Sequence, residues 1–289
     1  MAQELFRIDA KVIQEPLDTL LIAASNKLER EWPTSIPCHP SSPLYLRAFV
    51  LVSRNIFRAM GYFCADKPPD PMRKPEYANA ARPLARVILE IVFNVVFMLE
   101  DLSTRTERYE KAGWRSMAED LEMFRKTYGD DPDWSPYLKT FGEHVKRGQE
   151  FFHLTDAEFE NPTFIKKWPS PGGMRDEASP ELDSFLRYLR DWFYRNLSDD
   201  AHVNWVGLVR LGAGLLGDID GIDTDWSVAK QKSDTIATTV ILLLVLLSEL
   251  EITLGLGLGP KLPYLWRIMN EGWLAAKEVY LRRYDGRLG

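Results

Sequence analysis

The chain has 289 residues, 45% hydrophobic and 12% aromatic, which is ample for a packed core and too apolar for a disordered polypeptide. Its 36 Lys plus Arg against 42 Asp plus Glu leave a net charge of -6, which argues against a broad basic surface gripping duplex nucleic acid and leaves room for a local basic pocket. Cys38 and Cys64 have no His pair near them in sequence, so a disulfide framework and a Cys-type zinc site are both disfavoured. A reducing compartment follows, and because the opening residues lack a secretory pattern, a cytoplasmic location is expected.

Hydrophobic residues recur at helical spacing almost throughout, and the expected class is all-α: one multi-helix bundle over 1–289. A helix is predicted near 3–30 and a second near 43–65, where Tyr45, Phe49, Val52, Ile56, Met60 and Phe63 form one stripe. The proline-rich segment 66–75 must be a connection. A third helix runs from about Glu76 to Asp101. The fourth, Thr104 to Tyr128, is charged on most of its circumference and keeps a thin seam of Tyr109, Ala112, Met117, Leu121 and Phe124, the pattern of an outer helix. A fifth spans Ser135 to Leu154. The stretch 161–180 is rich in proline and holds the pair Gly172 and Gly173, so it reads as a long loop, the internal boundary candidate and the place to look for a mobile or functional segment. Beyond it, Leu182, Phe185, Leu186, Leu189 and Phe193 mark a helix from Pro180 to Asn196. An apolar segment follows from Val203 to Gly217, then helices from Ser227 to Leu254 and from Leu262 to Tyr284.

The uncharged run Thr235 to Ser248 raises the membrane question. It falls short of the roughly 20 residues that a span requires, and Asp234, Glu249 and Glu251 flank it, so a central buried helix is expected and no membrane partner. The following GLGLGP is the glycine-rich stop of a helix, since a nucleotide-binding loop needs a preceding strand.

The histidines stand at 39, 144, 153 and 202, none at the i, i+3 or i+4 spacing of a helix-borne His pair, and a di-iron bundle needs two Glu-x-x-His motifs where the chain has one, Glu150 to His153. There is no nucleophile elbow, Walker loop or dinucleotide fingerprint. No metal and no cofactor are expected. What remains is YRNLSDDAHVNW, residues 194 to 205. If it stays helical, Arg195, Ser198 and His202 share a face. Histidine is suited to proton transfer near neutral pH, and an arginine supplies a permanent charge with a planar fork for phosphate.

Arg195, the polar Asn196 after it, and His202 after six intervening residues resemble the Arg-x4-6-His signature of HEPN-type ribonucleases, all-helical proteins of bacterial toxin and phage-defence systems. The resemblance implies metal-independent RNA cleavage in a site shared by a homodimer. His202 would move the proton of the ribose 2'-hydroxyl and Arg195 would stabilise the phosphate, with RNA as substrate and a cognate antitoxin or sensor protein as partner. Arg147 to His153 also fits the spacing, but Gly148 replaces the polar residue, and Phe151 and Phe152 suggest a structural, at least partly buried position for His153.

A broader resemblance runs over residues 80 to 205, to a bacterial helical family of uncharacterised function with an Arg-x-x-x-Glu helix, a downstream Tyr, and a late Tyr-Arg-x-Leu-Ser followed by His. Arg86 and Glu90 match the first element, Tyr109 the second, and Tyr194, Arg195, Leu197, Ser198 and His202 the last. Arg86 and Glu90 interrupt a strongly apolar helix, where charges must be paired or functional. The acidic loop of Asp218, Asp220, Asp223 and Asp225 departs from the calcium-loop pattern, since Ala229 stands at its twelfth position. Of the tryptophans, Trp114, Trp134, Trp168, Trp192 and Trp205 among them, most are expected as core or interface anchors, and an exposed one beside the long loop could stack a base. Two functions remain: the ribonuclease, and a non-catalytic helical module that binds a ligand or partner in a defence or regulatory system.

Overall fold

The computed structural model describes residues 10–33, 35–64, 80–201 and 224–288. A π-helical turn, Ala10–Gln14, runs into α1 (Glu15–Arg30), followed by α2 (Ser42–Cys64), α3 (Ala81–Leu99), α4 (Leu102–Tyr128), α5 (Ser135–Phe151) and α6 (Asp156–Glu160). After a 3-10 turn, Pro162–Phe164, come α7 (Pro171–Glu177), α8 (Pro180–Leu189), a second π turn, Arg190–Tyr194, and α9 (Arg195–Ala201). The chain closes with α10 (Thr224–Leu254), α11 (Lys261–Gly272) and α12 (Leu274–Arg283). The fold is all-α, with no strand among the described residues. The proline segment 66–75, the apolar segment 203–217 and Asp218, Asp220 and Asp223 lie outside those residues.

Contacts gather the chain into two units: Met1–Ile36, Pro43–Glu100 and Met174–Gly289 form the first, and Pro37–Ser42 with Asp101–Gly173 the second. The first is built around α3 and α10. Both are apolar on nearly all sides, and a helix apolar all round must be enclosed by others. In α10 every residue from 239 to 250 is buried. By length and composition 229–254 could cross a membrane, yet 78% of its most apolar window is buried inside the protein. In α3 only Val87 and Glu90 are exposed between Ala85 and Leu99. Each fully buried Leu, Ile, Val or Phe here stabilises the fold by about 1.5 to 3 kcal/mol. Around this pair, α1 buries Leu17, Leu20, Leu21, Ala24 and Leu28, and Arg54 of α2 forks onto Asp18 of α1 at 2.7 and 2.9 Å.

The run after α10 works by alternation: Gly255, Gly257 and Gly259 have φ of 60, 64 and 73°, in the left-handed region that favours glycine, while Leu256 and Leu258 between them are buried. The expected last helix, Leu262 to Tyr284, is two. Gly272, a poor helix former, ends α11, and Trp273 takes an extended backbone (φ -143°, ψ 111°) before α12 begins.

The second unit is a hairpin of α4 and α5 around Trp114, whose indole donates to Val145 O at 2.9 Å. Leu121, Leu138, Val145, Leu154 and Ile165 complete its core. At the end where α4 turns into α5, Phe124, Tyr128, Trp134, Tyr137 and Phe141 cluster, with Tyr128 and Trp134 stacked at 4.1 Å. Within 161–180, where composition pointed to a long loop, lie the 3-10 turn and α7. The first half of this stretch is strapped to α4: Arg115 donates to Ile165 O at 2.6 Å, Arg108 to Lys167 O at 2.6 Å, and Trp168 packs edge-on against Tyr109.

Candidate functional site

Arg86 stands on the one polar flank of α3, and its side chain is only 9% exposed. Burying a guanidinium is costly unless its donors are met, and here they are. Nε donates to Glu90 Oε1 at 2.9 Å, with Nη2 also 2.9 Å from that oxygen. Nη1 donates to Ser198 Oγ at 2.7 Å and more weakly to Tyr194 O at 3.4 Å. The guanidinium carbon lies 3.2 Å from the centroid of the Tyr194 ring, a cation–π contact worth about 0.5 to 2 kcal/mol. Phe93 meets the same tyrosine edge-on at 6.3 Å. The Glu90 side chain is about half exposed, so the ion pair keeps one partner partly hydrated. The result is a rigid polar lock joining α3 to the start of α9.

The π turn sets which residues enter the lock. Phe193 and Leu197 are buried, as are Leu182, Leu186 and Leu189 before them. Two successive steps of four, from Leu189 to Phe193 to Leu197, over-rotate an α-helix, and the wider i to i+5 turn at 190–194 absorbs the excess. Tyr194 and Ser198 therefore face Arg86 together at i, i+4 spacing.

The structure thus brings Arg86, Glu90, Tyr194 and Ser198 together and sends Arg195 and Asn196 elsewhere. The Arg195 side chain is 71% exposed, with Nη2 3.7 Å from Asp191 Oδ1, beyond hydrogen-bond reach. Asn196 donates to Trp192 O, one turn back on its own helix, at 2.6 Å. Ser198 does not share the outward face of Arg195, because its hydroxyl is held inward by Arg86. His202 and Trp205 lie outside the described residues.

The second motif match belongs to the hairpin. A Cβ at Gly148 would collide with the Trp114 indole, which is a packing reason for that glycine. The expectation that His153 is at least partly buried is overturned: His153 is exposed, Phe151 is 67% exposed, and His153 takes φ of 51° just beyond the end of α5. Phe151 is the last residue of α5 and His153 stands at the left-handed turn beyond it.

Two buried polar centres escaped the sequence reading. In the second unit Ser42 Oγ and Thr106 Oγ1 share a hydrogen bond of 2.9 Å, and His39 Nδ1 lies 3.6 Å from the buried Glu110 carboxylate. In the first unit Arg283 forks onto Glu249 at 2.9 and 3.0 Å. Burial pulls the Arg283 guanidinium down, and the Glu249 hydrogen bonds and charge more than reverse it. Burial pushes the neighbouring Tyr284 phenol well up, and Glu249 adds to this by its charge. The Tyr284 hydroxyl itself is buried without a partner in hydrogen-bond geometry. Among the described residues no three His, Cys, Asp or Glu side chains gather as a metal site. No protein-family model, curated protein or solved structure matches the chain.

Proposed function

We propose that the chain is a metal-independent ribonuclease of HEPN type, a bacterial toxin or phage-defence effector acting in the cytoplasm. In this reading Arg195 stabilises charge on the scissile phosphate and His202 moves the proton of the ribose 2'-hydroxyl. The observation that carries it is Arg195 itself: a guanidinium 71% exposed, loosely held at 3.7 Å by Asp191, on a helix start fixed by the Arg86 lock. A fixed backbone with an uncommitted cation is what transition-state charge stabilisation requires. An arginine at the surface also suits a site completed by a second copy, which is why a homodimer belongs to the proposal. A cognate antitoxin or sensor protein would cover the same surface.

The test is RNA cleavage and growth toxicity of wild type, His202→Ala and Arg195→Ala. Both variants lose cleavage and toxicity while helicity and sedimentation stay those of the wild type, and chelation changes nothing. His153→Ala, at an exposed position, retains activity. A wild type that cleaves no RNA, or variants that lose activity only by unfolding, overturns the reading.

The lock itself favours a second function. Tyr194 and Ser198 are fully engaged in joining helices, which accounts for much of the motif without chemistry. On that reading the chain is a non-catalytic module binding a ligand or partner, and an inactive wild type that still captures its ligand selects it.

A further inference from the structure

The seam between α8 and α12 opens into a cleft of about 440 Å³, within the size range of small-ligand sites. Glu181 and Ser184 line it from α8, and Arg282, Arg283, Asp285 and Arg287 from the end of the chain. The three guanidiniums are not equivalent. Arg283 is taken by Glu249. Arg282 lies 3.4 Å from Glu278 and 4.8 Å from the Tyr188 ring centroid. Arg287 reaches only Arg283 O, at 3.5 Å, and has no carboxylate partner among the described residues. Tyr188 continues the series: its ring is parallel to Trp192 within 6°, centroids 6.4 Å apart, and Trp192 is about half exposed.

We propose that this cleft binds a nucleoside phosphate, with Arg287 and Arg282 on the phosphate, the Glu181 and Asp285 carboxylates accepting from ribose hydroxyls, and the base stacked on Trp192. The mixed charge decides the ligand class. A bare polyanion would be repelled by the two carboxylates, whereas a nucleotide offers anionic oxygens to the guanidiniums and hydroxyl donors to the acids. The open Trp192 ring, next in line after Arg282 and Tyr188, supplies a stacking platform for a planar base. Arg195 is not among the residues lining the cleft, and the proposal does not depend on the ribonuclease reading. The same chemistry is carried by a free mononucleotide and by the phosphorylated end of an RNA strand.

Calorimetry of the full chain at low salt, with AMP, inorganic phosphate and 5'-phosphorylated and unphosphorylated oligouridylate, tests it. AMP or the phosphorylated strand binds, and Arg287→Glu weakens that binding by about tenfold or more. Trp192→Ala weakens the nucleotide by about tenfold and leaves inorganic phosphate unchanged. Arg287→Lys recovers part of the loss, and circular dichroism of each variant matches the wild type. Binding of AMP identifies a free nucleotide as ligand, and binding of the phosphorylated strand alone identifies an RNA end. Absence of binding by AMP and both strands up to about 1 mM, or folded Arg287→Glu and Trp192→Ala variants that bind as the wild type does, overturns the proposal.

Discussion

The two units of the chain reach stability by different means. The first encloses two helices that are apolar on nearly every side, and its central residues, Val240 to Leu247, are aliphatic and fully buried. The second is a hairpin with little depth, so it relies on large rings: Trp114 at the centre, and Phe124, Tyr128, Trp134 and Phe141 toward one end. What the rings leave open is closed by directional bonds, from Trp114 to Val145 O and from Arg108 and Arg115 to the carbonyls of the 163–167 strap. A deep aliphatic core spreads its stabilisation over many equivalent side chains, whereas a shallow aromatic one concentrates it in a few. The lesson is that the second unit is the fragile one.

Trp114→Ala sharpens that contrast most. It removes the central ring and the bond to Val145 O, costs about 3 to 5 kcal/mol, and strips hydrogen-exchange protection from α4 and α5 while α3 and α10 keep theirs. Equal loss in both units would show that they do not unfold separately. Leu244→Ala, in the middle of α10, costs about 2 to 5 kcal/mol by urea denaturation, at the lower end where neighbouring aliphatic chains relax into the space. A cost above that of Trp114→Ala would break the comparison. The smallest effect is acid sensitivity. In the second unit, the Thr104 N–H at the α4 cap holds Asp101 below the ordinary carboxylate range, and Arg115 does the same for Glu119. Burial pushes Glu158 up, but Thr155 and Lys111 more than reverse it. In the first unit the corresponding group is Asp183, lowered by Arg175. A depressed carboxylate stabilises the fold above its unfolded value, about 4, and that contribution is lost as pH falls through the folded value. Below about pH 4, exchange protection in α4 to α6 is therefore lost before that in α3 and α10, and Asp101→Ala lowers α4 protection at neutral pH and removes part of its acid dependence. Simultaneous loss would remove electrostatics from the contrast.

Much of the first unit was legible in the amino-acid pattern. The stripe from Tyr45 to Phe63 marks α2 as a helix because apolar residues there keep a helical period, but the buried face lies about one position over, on Leu46, Val50, Phe57, Met60 and Cys64, with Val52 exposed; the uncharged run from Thr235 marks the buried heart of α10. The second unit was legible as helices but not as packing. The buried line of α4 runs Leu102, Thr106, Glu110, Trp114, and a search for apolar periodicity passes over it because Thr106 and Glu110 are polar. Their burial makes sense only once Ser42 and His39 arrive from a distant segment. The candidate site divides in the same way. That Arg86 needed partners followed from its place in an apolar helix. That Ser198 and Tyr194, more than a hundred positions away, would meet it depended on the π turn, which no residue in RDWFY announces.

That turn makes chain length there a coded quantity. Each helical residue carries the backbone about 100° around the axis, so losing one residue between 190 and 194 would give a more regular helix and a worse protein. Tyr194 and Ser198 would swing away from Arg86, Leu197 would leave the core, and Arg195 would point somewhere new. Substitutions in this stretch change chemistry at one position, whereas an insertion or deletion re-aims everything downstream, as a slipped tooth does to a gear train.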